Sequence, residues 1–128
     1  MRTLRTIAKL TAPAWWLIGL VAAVVVTVVT FARWHRRPGA LILDCSPTWL
    51  GRLMSRRGWG GFTIGRCIFL WENTRVLLAH ELQHVRQGDA LGLAFPVLYL
   101  IENIRRGYVG NRFEIEAREV ADMEAKQG

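Results

Sequence analysis

Residues 73–88 read NTRVLLAHELQHVRQG. Asn73 or Thr74 offers a side-chain oxygen that can cap a helix, and Gly88 offers a stop. Between them Val76, Leu77, Ala79, Leu82 and Val85 recur at helical spacing. Residues four apart share one face of a helix, so His80 and His84 point the same way. Glu81 lies beside the first of them. Two imidazoles at this spacing can hold one metal ion, and the adjacent carboxylate can approach a water on that ion. Zinc lowers the pKa of such a water toward about 7, within reach of a carboxylate base. The competing reading is an exposed helix face that happens to carry two His and one Glu. The otherwise apolar character of the helix argues against it.

The flanks of this helix predict an α+β domain over residues 40–128, with a short sheet and about three helices. Upstream, Ala40–Asp44 reads as a short strand. Ser46 and Pro47 look like the N-cap and first position of a helix carrying Trp49, Leu50, Leu53 and Met54, ended by Gly58. A turn over Gly58–Gly61 leads into Phe62–Trp71, which is rich in β-branched and aromatic residues and reads as one strand. Gly65 in its middle suggests a bulge. Downstream, Ala90–Ile101 is a 12-residue apolar run containing Pro96. It is too short to cross a bilayer comfortably and reads as a helix kinked or started near the proline. Arg105–Gly110 reads as a turn. Asn111 caps a last helix that runs to about Lys126.

The N-terminal quarter carries a different signal. Leu10–Ala32 is 23 residues without a charge, and about 20 apolar residues suffice for a helix to span the hydrocarbon core. Trp15, Trp16 and Trp34 stand near its ends, as interfacial aromatics do. Pro13 falls near the expected first turn. A signal peptide has a shorter apolar core and a small-residue cleavage site, whereas this run ends in Arg33-Trp34-His35-Arg36-Arg37. These features divide the chain into a basic flank (1–9), a transmembrane helix (10–34), a linker (35–39) containing Pro38 and Gly39, and the domain (40–128). Arg33, Arg36, Arg37, Arg52, Arg56 and Arg57 follow the span. By the positive-inside rule they predict a single-pass membrane protein with a cytoplasmic C-terminal domain.

The 128 residues leave room for one domain, which excludes a TIM barrel or a two-domain dehydrogenase. Fifteen of the 17 basic residues are Arg. Residues 1–75 hold 11 basic and two acidic side chains, residues 76–128 six and eight. The positive charge therefore belongs to the membrane-proximal half, where anionic headgroups are its natural partner. No nucleic-acid motif accompanies it, so no nucleic-acid partner is expected. Cys45 and Cys67 lie in apolar stretches and read as small buried residues.

A catalytic zinc usually has three protein ligands. No histidine follows His84, so the third ligand is expected to be a carboxylate, from among Glu102, Glu114, Glu116, Glu119 and Asp122. At this point the chain resembles the gluzincin metallopeptidases. Glu114-Ile115-Glu116-Ala117-Arg118 is similar to the E-x-x-A-D element of membrane metallopeptidases of the CAAX prenyl protease and HtpX group. That resemblance covers about residues 60–125. It implies His80, His84 and Glu114 as zinc ligands, and Phe62–Trp71 as an edge strand to which an extended peptide substrate adds. Arg118 stands where the pattern has Asp, a residue that would orient a ligand histidine. Glu114 also sits three residues after Asn111, as in a capping box that would occupy its carboxylate; Glu116 is the alternative ligand. Tyr99 and Tyr108 are candidate oxyanion donors, and Gln83 and Gln87 are candidate surface or loop-orienting residues.

Two functions follow as expectations. One is a membrane-anchored zinc metallopeptidase that hydrolyses peptide or protein substrates, with Glu81 as general base. The other is a non-catalytic membrane adaptor that keeps a similar fold and binds a partner through Ala90–Ile101.

Overall fold

The computed structural model describes residues 2–128. Its elements are α1 (Arg2–Thr30), β1 (Arg33–Arg37), β2 (Ala40–Asp44), α2 (Trp49–Arg56), β3 (Gly61–Ile64), β4 (Cys67–Leu70), α3 (Arg75–Leu91), α4 (Ala94–Gly110) and α5 (Arg112–Gln127). The four strands form one sheet in the order β1-β2-β4-β3. The central pair, β2 and β4, is parallel, and both outer pairs are antiparallel. The α+β class is as expected. Four helices follow α1 rather than about three.

Strand side chains alternate between faces, and here the alternation sorts the core into two layers. Ile42, Ile68 and Leu70 pack with Leu78 and Val85 of α3. Leu43, Cys45, Cys67 and Phe69 pack with Ala23 of α1 and against Leu50 and Met54 of α2. The sheet is thus covered by α3 on one face and by α1 and α2 on the other. All four residues of β4 are buried, as a central strand with two covered faces requires. Cys45 and Cys67 are buried in the layer under α1, and burial pushes the Cys45 thiol up to about 11.

α1 is long and apolar enough to cross a membrane. It also packs lengthwise on the rest of the chain. Ala8, Ala12, Trp15, Gly19 and Ala23 form its buried stripe, at the spacing that keeps residues on one helix face. A Cβ at Gly19 would lie 2.1 Å from the Ile64 carbonyl oxygen, so only glycine lets the helix touch the sheet there. Thr11 accepts a hydrogen bond from the Leu93 amide, supplying the start of α4 with a cap that Leu93 itself lacks.

Several local expectations are corrected. Residues 35–39 are no linker: Arg33–Arg37 is the edge strand β1, and a turn through Pro38 and Gly39 returns the chain into β2. Its five residues are all exposed, so no apolar alternation marked it. Phe62–Trp71 is a hairpin of two four-residue strands, because Gly65, at φ +62°, turns the chain instead of bulging it. Thr48, not Ser46, caps α2 and accepts from the Gly51 amide, while Ser46 is held by Asp44. Gly88 does not stop α3; it is a close contact with the Trp15 indole. α1 starts at Arg2, which leaves Pro13 well inside the helix. Pro96 falls in the first turn of α4, where its missing N–H costs little. The expected turn at 105–110 is a kink: helical structure resumes after it, but Gly107, at φ 71° and ψ 171°, breaks α4 there.

The Gly19 contact gives a direct test. Gly19→Val forces α1 off the β3–β4 turn, and overpacking of this kind costs about 1–3 kcal/mol. Denaturant unfolding in detergent should show that loss, with faster reaction of Cys45 and Cys67 toward a thiol reagent. An unchanged midpoint and unchanged thiol rates would show that α1 does not pack on the sheet.

Candidate metal centre

Thr74 caps α3, its hydroxyl oxygen accepting from the Leu77 amide. The helix then runs under the sheet with Leu78 and Val85 inward, which turns His80, Glu81 and His84 toward a cavity of about 490 Å³. Phe62 and Thr63 of β3, Phe95, Pro96 and Tyr99 of α4, and Trp15 of α1 line that cavity, and Glu114 enters it from α5.

The three expected ligands converge. His80 Nε2 lies 3.1 Å from Glu114 Oε2, and His84 Nε2 lies 3.2 Å from Glu114 Oε1. The two Nε2 atoms are 3.2 Å apart. Zinc bonds of about 2.0–2.1 Å at tetrahedral angles put ligand atoms about 3.3 Å apart; the two imidazole nitrogens have that spacing, and each lies at a similar distance from one oxygen of the Glu114 carboxylate. Glu114 Oε2 is buried and, despite its nearness to His80, accepts no hydrogen bond. A buried carboxylate with one unpaired oxygen, each of its oxygens beside an imidazole nitrogen, is the donor set a divalent cation satisfies. The residues present therefore fit a metal ion.

Asn111 determines where Glu114 sits. It is fully buried, accepts from the Phe113 amide as the N-cap of α5, and donates to the Tyr99 carbonyl and to Asn103 Oδ1 of α4. The start of α5 is thus pinned to α4. Glu114 does not fold back on this cap as a capping box would have it. Its Oε1 accepts instead from the Tyr99 hydroxyl at 2.5 Å. Glu116 points elsewhere and accepts from Gln87 Nε2 at 2.9 Å. Glu102 faces Arg106 and Arg112. Glu119 and Asp122 are exposed and lie outside the cluster of potential ligands.

Gln87 is the residue that sequence reasoning undervalued. It is buried, and its Oε1 pairs with His84 Nδ1 at 2.8 Å. Because an amide oxygen only accepts, Nδ1 carries the proton and Nε2 is left free for the metal. Gln87 Nε2 donates to the Phe113 carbonyl, so one side chain orients a ligand and ties α3 to α5. Its i,i+3 spacing from His84 was the available signal. Arg118 donates to the Val109 carbonyl.

Electrostatics separates the two carboxylates. Burial would raise the pKa of Glu114, but the neighbouring His80 and His84 imidazoles and the Tyr99 hydroxyl outweigh it and hold the carboxyl well below the usual range. Burial raises Glu81, and the Thr63 hydrogen bond and nearby imidazoles offset it only in part. Thr63 donates to Glu81 Oε2 at 2.7 Å, fixing that carboxylate from the edge strand. Burial opposes the charged form of His84, yet Glu114 raises its pKa above the ordinary 6.5.

No family model, curated protein or solved structure matches this chain.

Purified protein at neutral pH should bind one zinc per chain, and His80→Ala or Glu114→Ala should abolish binding. Gln87→Ala should weaken it by about 10–100-fold, the usual effect of losing a ligand's orienting partner. Competition with a chromophoric chelator measures both. His84 must shed its proton to bind, and its pKa lies above 6.5. Zinc affinity should therefore be weaker at pH 6.5 than at pH 8. A flat profile across that interval would remove His84 from the ligand set.

Proposed function

We propose that this chain is a membrane-associated, zinc-dependent metallopeptidase of the gluzincin type. One observation carries the reading: His80 and His84 from α3 and Glu114 from α5 meet within 4.8 Å, in a cavity that also holds the buried carboxylate of Glu81. Bound zinc would supply Lewis-acid polarisation of a carbonyl and acidification of a water.

The remaining steps fall to side chains. Glu81 is 3% exposed and has a raised pKa, which suits a group that takes a proton from water and later returns it. Thr63 holds Oε2 of this carboxylate, so Oε1 is the oxygen available for the transfer. Glu114, held ionised, balances the charge of the metal. Tyr99 donates to Glu114 and is thereby committed to positioning that ligand. Phe62, Thr63 and Gly61 of β3 line the cavity, and β3 is the outer strand of the sheet. An extended peptide that added to its free backbone edge would lie across the cavity with little demand on its side chains.

A second reading keeps the fold and drops the chemistry. Val97, Leu100 and Ile104 of α4 are 58%, 59% and 76% exposed, an apolar surface suited to a partner helix or to lipid. Glu81→Gln separates the two readings. Under the peptidase reading the variant should retain zinc and lose hydrolysis of an unstructured protein substrate by at least about 10²-fold, the usual contribution of a general base. Wild-type protein that binds zinc but cleaves none of a broad set of peptides, with Glu81→Gln indistinguishable in partner capture, would favour the adaptor.

A further inference from the structure

We propose that α1 lies in the plane of an anionic membrane surface, with its aliphatic stripe in the lipid and the rest of the fold on the water side, so that both chain ends face one solution. The stripe consists of Leu10, Leu17, Val21, Val24 and Val28, and Leu10 and Val28 are 75% and 69% exposed. It lies diametrically opposite the buried Ala8, Ala12, Trp15, Gly19 and Ala23. At 1.5 Å per residue it runs about 27 Å. Phe31, 88% exposed, extends it past the helix end. A continuous apolar stripe of this length needs cover.

An upright α1 would carry the domain into the bilayer, because the fold is packed along the helix from Ala8 to Ala23. Near the middle of that contact, Arg66 pairs with Asp89 at 3.0 Å, with side chains 41% and 34% exposed. Asp89 also accepts from the Trp16 indole, and the Arg66 guanidinium stacks 3.7 Å over the Trp16 ring. Half-open charges at hydrocarbon depth are strongly disfavoured. The sheet edges add to the conflict. β1 and β3 each have one unpartnered backbone side, and unsatisfied strand edges do not occur against lipid. With α1 in the plane, the ion pair and both edges stay at or above the headgroups.

The charges fit the same placement. Arg2, Arg5 and Lys9 flank one end of the stripe, and Arg33, Arg36 and Arg37 of the fully exposed β1 flank the other. Residues 1–75 hold 11 basic and two acidic side chains. Basic groups bracketing an apolar helix face are matched by anionic lipid headgroups.

The test uses the full chain carrying Thr3→Cys and Gln127→Cys, both at exposed positions. Cys45 and Cys67 are buried, and the parent chain, expected to take no label, checks this. The protein is expressed in bacterial membranes and treated with a membrane-impermeant maleimide in sealed vesicles of each orientation; intact mass counts the labels. Two labels in one vesicle orientation and none in the other are expected. A single label per chain until detergent is added would overturn the proposal in favour of an upright span. A soluble dimer that does not sediment with membranes would overturn it in favour of a second copy covering the stripe. Independently, Val21→Glu/Val24→Glu should reduce partition onto phosphatidylglycerol vesicles at least tenfold while leaving circular dichroism and zinc binding unchanged. Unchanged partition would also overturn it.

Discussion

Glu114 places a carboxylate, 3% exposed, between two imidazoles and beneath a tyrosine hydroxyl. A buried charge is tolerated only where other groups answer it, so three helices must hold their partners in register. α3 supplies His80 and His84, α4 supplies Tyr99, and α5 supplies the carboxylate. Asn111 joins α4 to α5, and Gln87 joins α3 to α5. Moving any of these helices by one residue would leave an unpaired ion in the interior. The cavity walls, the orientation of Glu81 and the approach along β3 all depend on this register.

The same economy explains how so short a chain encloses a cavity. Gln87 serves as orienting partner and as interhelical tie. Thr63 is a strand residue and the clamp on Glu81. Trp15 belongs to the buried stripe of α1, makes an edge-to-face contact with Phe95, and walls the cavity. In a larger domain these tasks fall to separate residues. Here a substitution at any of them acts on the site and on the packing together, and double-mutant cycles between them should be non-additive.

Much of this was legible in the sequence, and what was not has specific causes. The helix with His80, Glu81 and His84 was legible because its N-cap, its apolar spacing and its chemistry agree. Glu114 needed more, since Asn111 and Glu114 also fit a capping box; only the position of α4 determines that the carboxylate turns to the imidazoles. β1 was misread because an edge strand with both faces in solvent has no apolar alternation. The β3–β4 hairpin was misread because one glycine between two apolar runs signals a bulge and a turn equally well. Gln87 was weighed as a surface residue because polar side chains on a helix usually are.

α1 shows where hydropathy stops being informative. A run such as LIGLVAAVVVTVV is apolar on every side, so its composition meets the requirement for a span whether or not lipid surrounds it. What composition cannot encode is that one side is made of small residues, Ala8, Ala12, Gly19 and Ala23, and that the other is made of branched ones. Small residues allow close backbone approach, which is how Gly19 comes to rest on the Ile64 carbonyl. The sheet layer of Leu43, Cys45, Cys67 and Phe69 has no other long helix to cover it. Stripping α1 away would expose that layer to water, so the helix that is long and apolar enough to cross a membrane is also a wall of the core. The apolar length of α1 and the packing of the core are therefore one structural fact here, and Trp15 extends it to the wall of the cavity that holds His84.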